Sequence, residues 1–204
     1  DQLVDFVRAL PRLKDFRFRV PSVLYSAQGC TVWDVMPRSS ITSLHLFDND
    51  TFDATEAELF GEFLDQCASR MEHLNVLMEP FVAQLLARLP QLTALRSLRM
   101  LLYEPWKGTD RLPDTLYKLV LVVGEEYSDD PTSARHFDSL AQALSDASQL
   151  TELDLTLCRE SIVGHMLTAL WADARVVAKL QSLRIEVSET EKCVSAPLTP
   201  ILTA

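Results

Sequence analysis

The sequence predicts an α/β chain in which short strands alternate with helices in a repeating unit. Three observations predict it: a recurrent apolar hexad, amphipathic helical patterns between its copies, and stop signals at the helix exits. The hexad is L-x-x-L-x-L, with any aliphatic residue or Phe allowed at L. It reads LKDFRF from Leu13, ITSLHL from Ile41, MEHLNV from Met71, LRSLRM from Leu95, LYKLVL from Leu116, LTELDL from Leu150 and LQSLRI from Leu180. Successive starts lie 28, 30, 24, 21, 34 and 30 residues apart, close to the length of a strand-plus-helix unit.

Along the chain, residues 3–9 carry apolar side chains at i, i+3 and i+4 spacing and predict a first helix. Pro11 ends it, since proline cannot continue a helix and biases its predecessor towards extended backbone, and the first hexad strand follows. The hexad from Ile41 leads into a helix over 55–70. Asp53 with Glu56 three residues later has the reciprocal capping arrangement at its start. Of the seven hexads, the one from Met71 is the weakest match. A helix over 81–89 then exits through Ala87-Arg88-Leu89-Pro90-Gln91-Leu92, nearly the phrase of residues 8–13. The strands from Leu95 and Leu116 come next. Pro131 after Asp130 suits a first helical position, where its missing N–H costs nothing, and a helical pattern spans 134–147. The strand from Leu150, a helix over 161–178 and the strand from Leu180 complete the series. Trp33, and Trp171 on the pattern Ile162, Met166, Ala169, Leu170, are expected in the core.

Composition narrows the function classes. The 204 residues carry 19 Lys and Arg against 29 Asp and Glu, a net charge of −10, the wrong sign for a nucleic-acid or anionic-membrane binder. Cys30, Cys67, Cys158 and Cys193 are far apart, with no paired spacing and no His at metal-ligand distance, so reduced, mostly buried thiols are expected. No apolar stretch approaches the roughly 20 residues of a membrane span. No nucleophile elbow, phosphate-binding Gly loop or zinc-protease helix motif occurs, so no catalysis and no cofactor are expected. His45 and His73 fall on outward strand positions of adjacent units and are expected within about 5 Å of each other, one strand spacing. They lack a third ligand, so a polar-surface role is expected for them. The run Asp48-Asn49-Asp50-Thr51-Phe52-Asp53 starts like a calcium loop but has Phe52 and Asp53 where an oxygen ligand and Gly are needed. The acidic run 125–130 reads as a solvated loop.

On its hexads and their spacing the chain resembles the leucine-rich repeat family, in particular its ribonuclease-inhibitor-like and cysteine-containing classes, over nearly all its length. The resemblance implies a curved solenoid of about seven irregular repeats, with a parallel β-sheet on the concave face and helices on the convex face. It implies a single array over residues 1–204. The family's ninth position, Asn or Cys, falls on Pro21, Asn49, Glu79, Tyr103, Gly124, Cys158 and Ser188, so only two units match and an irregular array is expected. No polar terminal cap is legible, and the array is expected to be a fragment of a longer one. The competing arrangement, a doubly wound α/β domain, does not account for the recurrent frame.

In a hexad strand the apolar side chains point inward, so the residues before, between and after the last two face the concave side. The expected partner-binding residues are Arg17, Arg19, His45, Phe47, His73, Leu77, Arg99, Leu101, Val120, Val122, Glu152, Asp154 and Arg184. Phe47, Leu77, Leu101, Val120 and Val122 would form an apolar stripe between Arg17, Arg19 and Arg99 on one side and Glu152 and Asp154 on the other. An apolar centre with a charged rim suits a protein partner. Two alternatives stand beside it. The run 119–123 is apolar on both faces and does not fix its own register. The loop bearing Trp106 either folds over the stripe or offers Trp106 to a partner from the solvent side.

The expected function is a non-catalytic scaffold, cytoplasmic or nuclear, that recognises another protein. The resemblance implies a more specific version, the substrate-receptor portion of an F-box ubiquitin ligase. A structural subunit of a larger assembly and a regulatory segment of a larger enzyme are the alternatives.

Overall fold

The computed structural model describes residues 2–19, 32–36, 40–47, 54–102, 106, 111–124, 131–157 and 160–187. The expectations for the 48–53 and 125–130 runs, and for Cys30, Cys158 and Cys193, fall outside them. Helix α1 (Gln2–Arg8) precedes strand β1 (Asp15–Arg19), and a short helix α2 (Val32–Val35) precedes β2 (Ser43–Phe47). Then follow α3 (Ala54–Cys67), β3 (His73–Val76), α4 (Glu79–Arg88), β4 (Ser97–Leu102) and β5 (Lys118–Val123). The chain continues through α5 (Pro131–Asp146), β6 (Glu152–Leu157), α6 (Glu160–Ala172), α7 (Ala174–Lys179) and β7 (Ser182–Val187).

All seven strands form one parallel sheet in the order β1-β2-β3-β4-β5-β6-β7. Each strand begins at the third residue of its hexad. The order never reverses, so the sheet has no switch point of the doubly wound kind. Parallel crossovers are right-handed, and a monotonic order therefore sends every helical connection to the same face. The inward hexad residues face that layer: Leu44, Leu74, Leu98, Leu119 and Leu153 are buried, as are Leu46, Val76, Met100, Leu121 and Leu155 one step along. Met71, the start of the weakest hexad, is fully buried too.

A backbone ladder joins the units. The carbonyl of the second hexad residue accepts from two consecutive N–H groups of the next unit: Lys14 from Thr42 and Ser43, Thr42 from Glu72 and His73, Glu72 from Arg96 and Ser97. Arg96, Tyr117 and Thr151 repeat the pattern towards β7, and all twelve bonds lie between 2.8 and 3.1 Å. Backbone polar groups need partners. Here the same carbonyl serves in every unit despite the unequal spacing, because insertions fall in the connections and leave the strand entries in step.

Trp33 fills the core as expected, and the four-residue α2 that carries it is an element the sequence pattern does not predict. Its ring lies 5.4 Å from that of Phe60, 5.5 Å from Phe63 and 5.9 Å from Phe81, so one aromatic cluster ties α2 to α3 and α4. Gly61 lets α4 approach α3: a Cβ there would meet the Arg88 guanidinium at 2.7 Å, which instead bonds Asp65 at 3.0 Å and Gln84 at 2.6 Å. Cys67 is buried and its thiol donates to the Phe63 carbonyl; burial pushes its pKa up to about 12, so it stays a thiol at neutral pH.

Two expectations fail between β6 and β7. The helix expected over 161–178 breaks at Asp173, whose backbone is extended and whose carboxylate caps α7 by accepting from the Arg175 N–H at 2.9 Å. Trp171 is not a core residue: it is 56% exposed, because Met166, Ala169 and Leu170 fill the inner face of α6 and residue 171 lies about 100–160° around the helix from each of them. Lys179, at the end of α7, donates to the carbonyls of Leu144, Ser145 and Ala147, which closes the C-terminus of α5. A cation on the carbonyls at the end of a helix is also favoured by the helix dipole. Lys179→Met keeps the stem and removes the charge, and is expected to lower stability by about 1–2 kcal/mol in urea unfolding. A change too small to resolve would mean that water serves those carbonyls equally well.

Candidate functional site

The sheet face opposite the helices carries three rows of side chains, set by strand register. The first runs Asp15, Ser43, His73, Ser97, Lys118, Glu152, Ser182; the second runs Arg17, His45, Asn75, Arg99, Val120, Asp154, Arg184. The third pairs Arg19 with Phe47 and, further on, Leu101 with Val122, Thr156 and Glu186. The thirteen residues expected to bind a partner therefore share one face, with Leu77 lying just past the end of β3. Arg19 is placed through its backbone alone.

The apolar stripe is corrected by burial. Leu101 and Val122 point away from the helices yet are only 2% and 4% exposed, and Trp106, from the connection between β4 and β5, is 1% exposed. All three belong to one continuous apolar cluster. The face is therefore closed over the ends of β4 and β5, Trp106 is no solvent-side anchor, and Leu101 and Val122 are not available to a partner. Phe47, Leu77 and Val120 remain partly exposed.

What stays open is mostly polar. On β1 the Arg17 guanidinium bonds the Asp15 carboxylate through Nε at 3.3 Å and Nη2 at 3.1 Å. Burial pushes the Asp15 carboxyl upward, but the bonds and charge of Arg17, with His45 and Ser43, outweigh it and hold its pKa below the usual value. Next to it the Ser43 hydroxyl lies 3.0 Å from His45 Nε2 and donates to Asp15 at 3.4 Å. Ser, His and Asp thus meet, but not in a nucleophile-activating order: Asp15 contacts Ser43 and the same Nε2 atom, at 3.9 Å, rather than orienting the ring through Nδ1. Burial, then the Arg17 charge, lowers the His45 pKa against the pull of Asp15, so the ring is neutral at pH 7. It stacks on Phe47 at 6.1 Å with the planes 17° apart.

His45 and His73 are not directly opposite each other, although the His73 charge adds to the lowering of the His45 pKa. Register sets Ser43 opposite His73 and Asn75 opposite His45, so the two rings are diagonal neighbours rather than one strand spacing apart. Among the described residues no three His, Cys, Asp or Glu side chains are placed to hold a metal ion.

The centre of the face holds polar groups with open valences. Asn75 is buried and its Oδ1 finds no hydrogen-bond partner among the described residues; the same holds for Nε of Arg99, directly opposite it. Burial lowers the Arg99 pKa, and the charges of Asp154 and Glu186 oppose that shift. These three, with Val120, Thr156 and Arg184, line a small open cavity of about 130 Å³. Arg184 pairs with Glu186 at its rim, and Lys118 pairs with Glu152 at 2.9 Å below it. Asn75, Lys118 and Glu186 were not among the residues singled out for binding, although their places in the hexad frame put them on this face.

Among the described residues no helix is long and apolar enough to cross a membrane. No protein-family model matches the chain, and no curated protein matches it.

Proposed function

We propose that this chain is a leucine-rich-repeat solenoid segment whose open, concave sheet face recognises another protein without catalysis. The single-direction sheet order, the strand entry at the third hexad residue and the backbone ladder support the repeat reading. The function rests on one observation: the sheet face opposite the helices stays open around a cavity lined by Arg99, Asp154, Arg184 and Glu186, and beside it Asn75 Oδ1 and Arg99 Nε are buried without a hydrogen-bond partner among the described residues. A buried polar group without a partner costs about 1–3 kcal/mol. Turning outward, the two side chains let a bound chain donate to Asn75 and accept from Arg99 and so recover that cost, and the flanking ion pairs and the His45–Phe47 stack set its orientation. All-parallel sheets are ordinarily covered on both faces, so an open face of this kind is one that a partner fits. The nearest approach to a catalytic constellation, Ser43 with His45 and Asp15, lacks the orienting contact that would make Ser43 a nucleophile.

The test is affinity capture with the 204-residue chain beside an Asn75→Leu/Arg99→Met variant, which replaces the two unpaired polar groups by apolar side chains, one branched like Asn and one unbranched like the Arg stem. The variant is expected to melt at or above the parent's temperature and to lose the captured protein. An unchanged captured set from a folded variant removes the central face from consideration. The identity of a captured protein then separates a ubiquitin-ligase substrate receptor from other scaffolds.

A further inference from the structure

Four of the large hydrophobics exposed among the described residues, Trp171, Val177, Leu183 and Val187, lie in the last unit. On β7 the inward row that is buried in the neighbouring strand opens up: Leu153 and Leu157 are sealed, whereas Leu183 and Val187, which pair with them, are 41% and 42% exposed. The first strand differs, since Phe16 is buried behind helices that include the buried Val4 and Val7 of α1.

The backbone of β7 is open as well. The Ser182 N–H donates to Thr151 of the β6 side. In a parallel ladder a residue turns its N–H and C=O to one neighbour and the next residue turns them to the other side. Residues 182, 184 and 186 therefore face β6, and the three N–H and three C=O groups of Leu183, Ile185 and Val187 turn to the outer edge, where no strand among the described residues pairs with them.

We infer that β7 is a self-pairing edge, at which a second copy of this chain adds its own β7 antiparallel about a two-fold axis through Ile185. The sequence Ser-Leu-Arg-Ile-Glu-Val fits its own reverse at that register. Leu183 meets the second copy's Val187, Ile185 meets Ile185, and Arg184 meets Glu186. The residues directly opposite in the three apolar pairs are those with free backbone groups, so six hydrogen bonds form. Neighbouring registers of the same parity fail electrostatically: centring on residue 184 sets Arg against Arg, and centring on 186 sets Glu against Glu. Exposed edge strands pair with other strands unless something blocks them, and β7 carries no proline, no bulge and no inward-pointing charge. Arg184 and Glu186 also border the cavity of the open face, so the inference is tested on the purified chain alone, where self-association is read without any partner and its failure is distinct from failure of the proposed function.

Sedimentation equilibrium of the 204-residue chain tests it. The parent is expected to dimerise, and Val187→Pro, which removes an edge N–H, to be folded and monomeric. Arg184→Glu turns two attractive pairs into two repulsive ones and is expected to weaken the dimer about tenfold, while Arg184→Glu/Glu186→Arg restores it, because the swapped pair is again self-complementary. A parent that stays monomeric at about 1 mM chain overturns the inference, and so does a dimer indifferent to the charge reversal. Since Arg184→Glu changes a single exposed side chain, it decides the matter even if Val187→Pro does not fold.

Discussion

Leu101→Glu is expected to unfold the chain rather than silence a binding surface. By alternation residue 101 belongs to the open face, and a sequence-based design would choose it to disrupt partner contact. The side chain is nevertheless 2% exposed, between the fully buried Met100 and the buried Leu102. A carboxylate there must be desolvated without a counter-ion or must take up a proton, and a buried unpaired charge is among the few causes of destabilisation above about 4 kcal/mol. Against a typical domain stability of about 5–15 kcal/mol, a loss of that size or more brings a chain at the lower end of the range to the edge of unfolding and lowers the melting temperature steeply at the upper end. Circular dichroism and thermal melting check it, with Phe47→Ala as a folded control from the exposed part of the face. A Leu101→Glu variant melting within a few degrees of the parent would show that water reaches residue 101.

The second large effect is expected at Trp106. Its side chain is the largest of the fully buried ones, on a stretch of chain that joins two adjacent strands rather than within a helix or strand. Trp106→Ala removes that volume from the cluster containing Leu101 and Val122 and is expected to cost about 3–5 kcal/mol in urea unfolding. The folded remainder should also bind a hydrophobic dye, since two apolar side chains on the open side of the sheet lose cover. A loss below about 1 kcal/mol would mean that the site collapses around the smaller side chain and that Trp106 is not what closes the face.

The two predictions mark where local reading stops. Seven hexads located every strand to within two residues, the inward row and the membership of the open face, including Arg17, His45, Arg99, Asp154 and Arg184. These follow from period-2 alternation and a repeated frame, and insertions between hexads leave both intact. The short α2 was not legible, because four residues carry too little periodicity to count. The break at Asp173 was not legible because the apolar pattern runs on through it, while a local capping bond ends the helix.

What the sequence by itself determined is which side of each strand is apolar and in what order the units follow, since both are written in spacing along the chain. What only the tertiary structure decided is which outward residues stay outward. Leu101 and Val120 occupy equivalent kinds of position in the pattern, yet one is sealed and the other partly exposed. Trp171 leaves the core, and His45 and His73 miss each other by one register step. Burial and cross-strand distance are relations between segments far apart in the chain. Alternation records which face a side chain takes, but not what comes to lie over it.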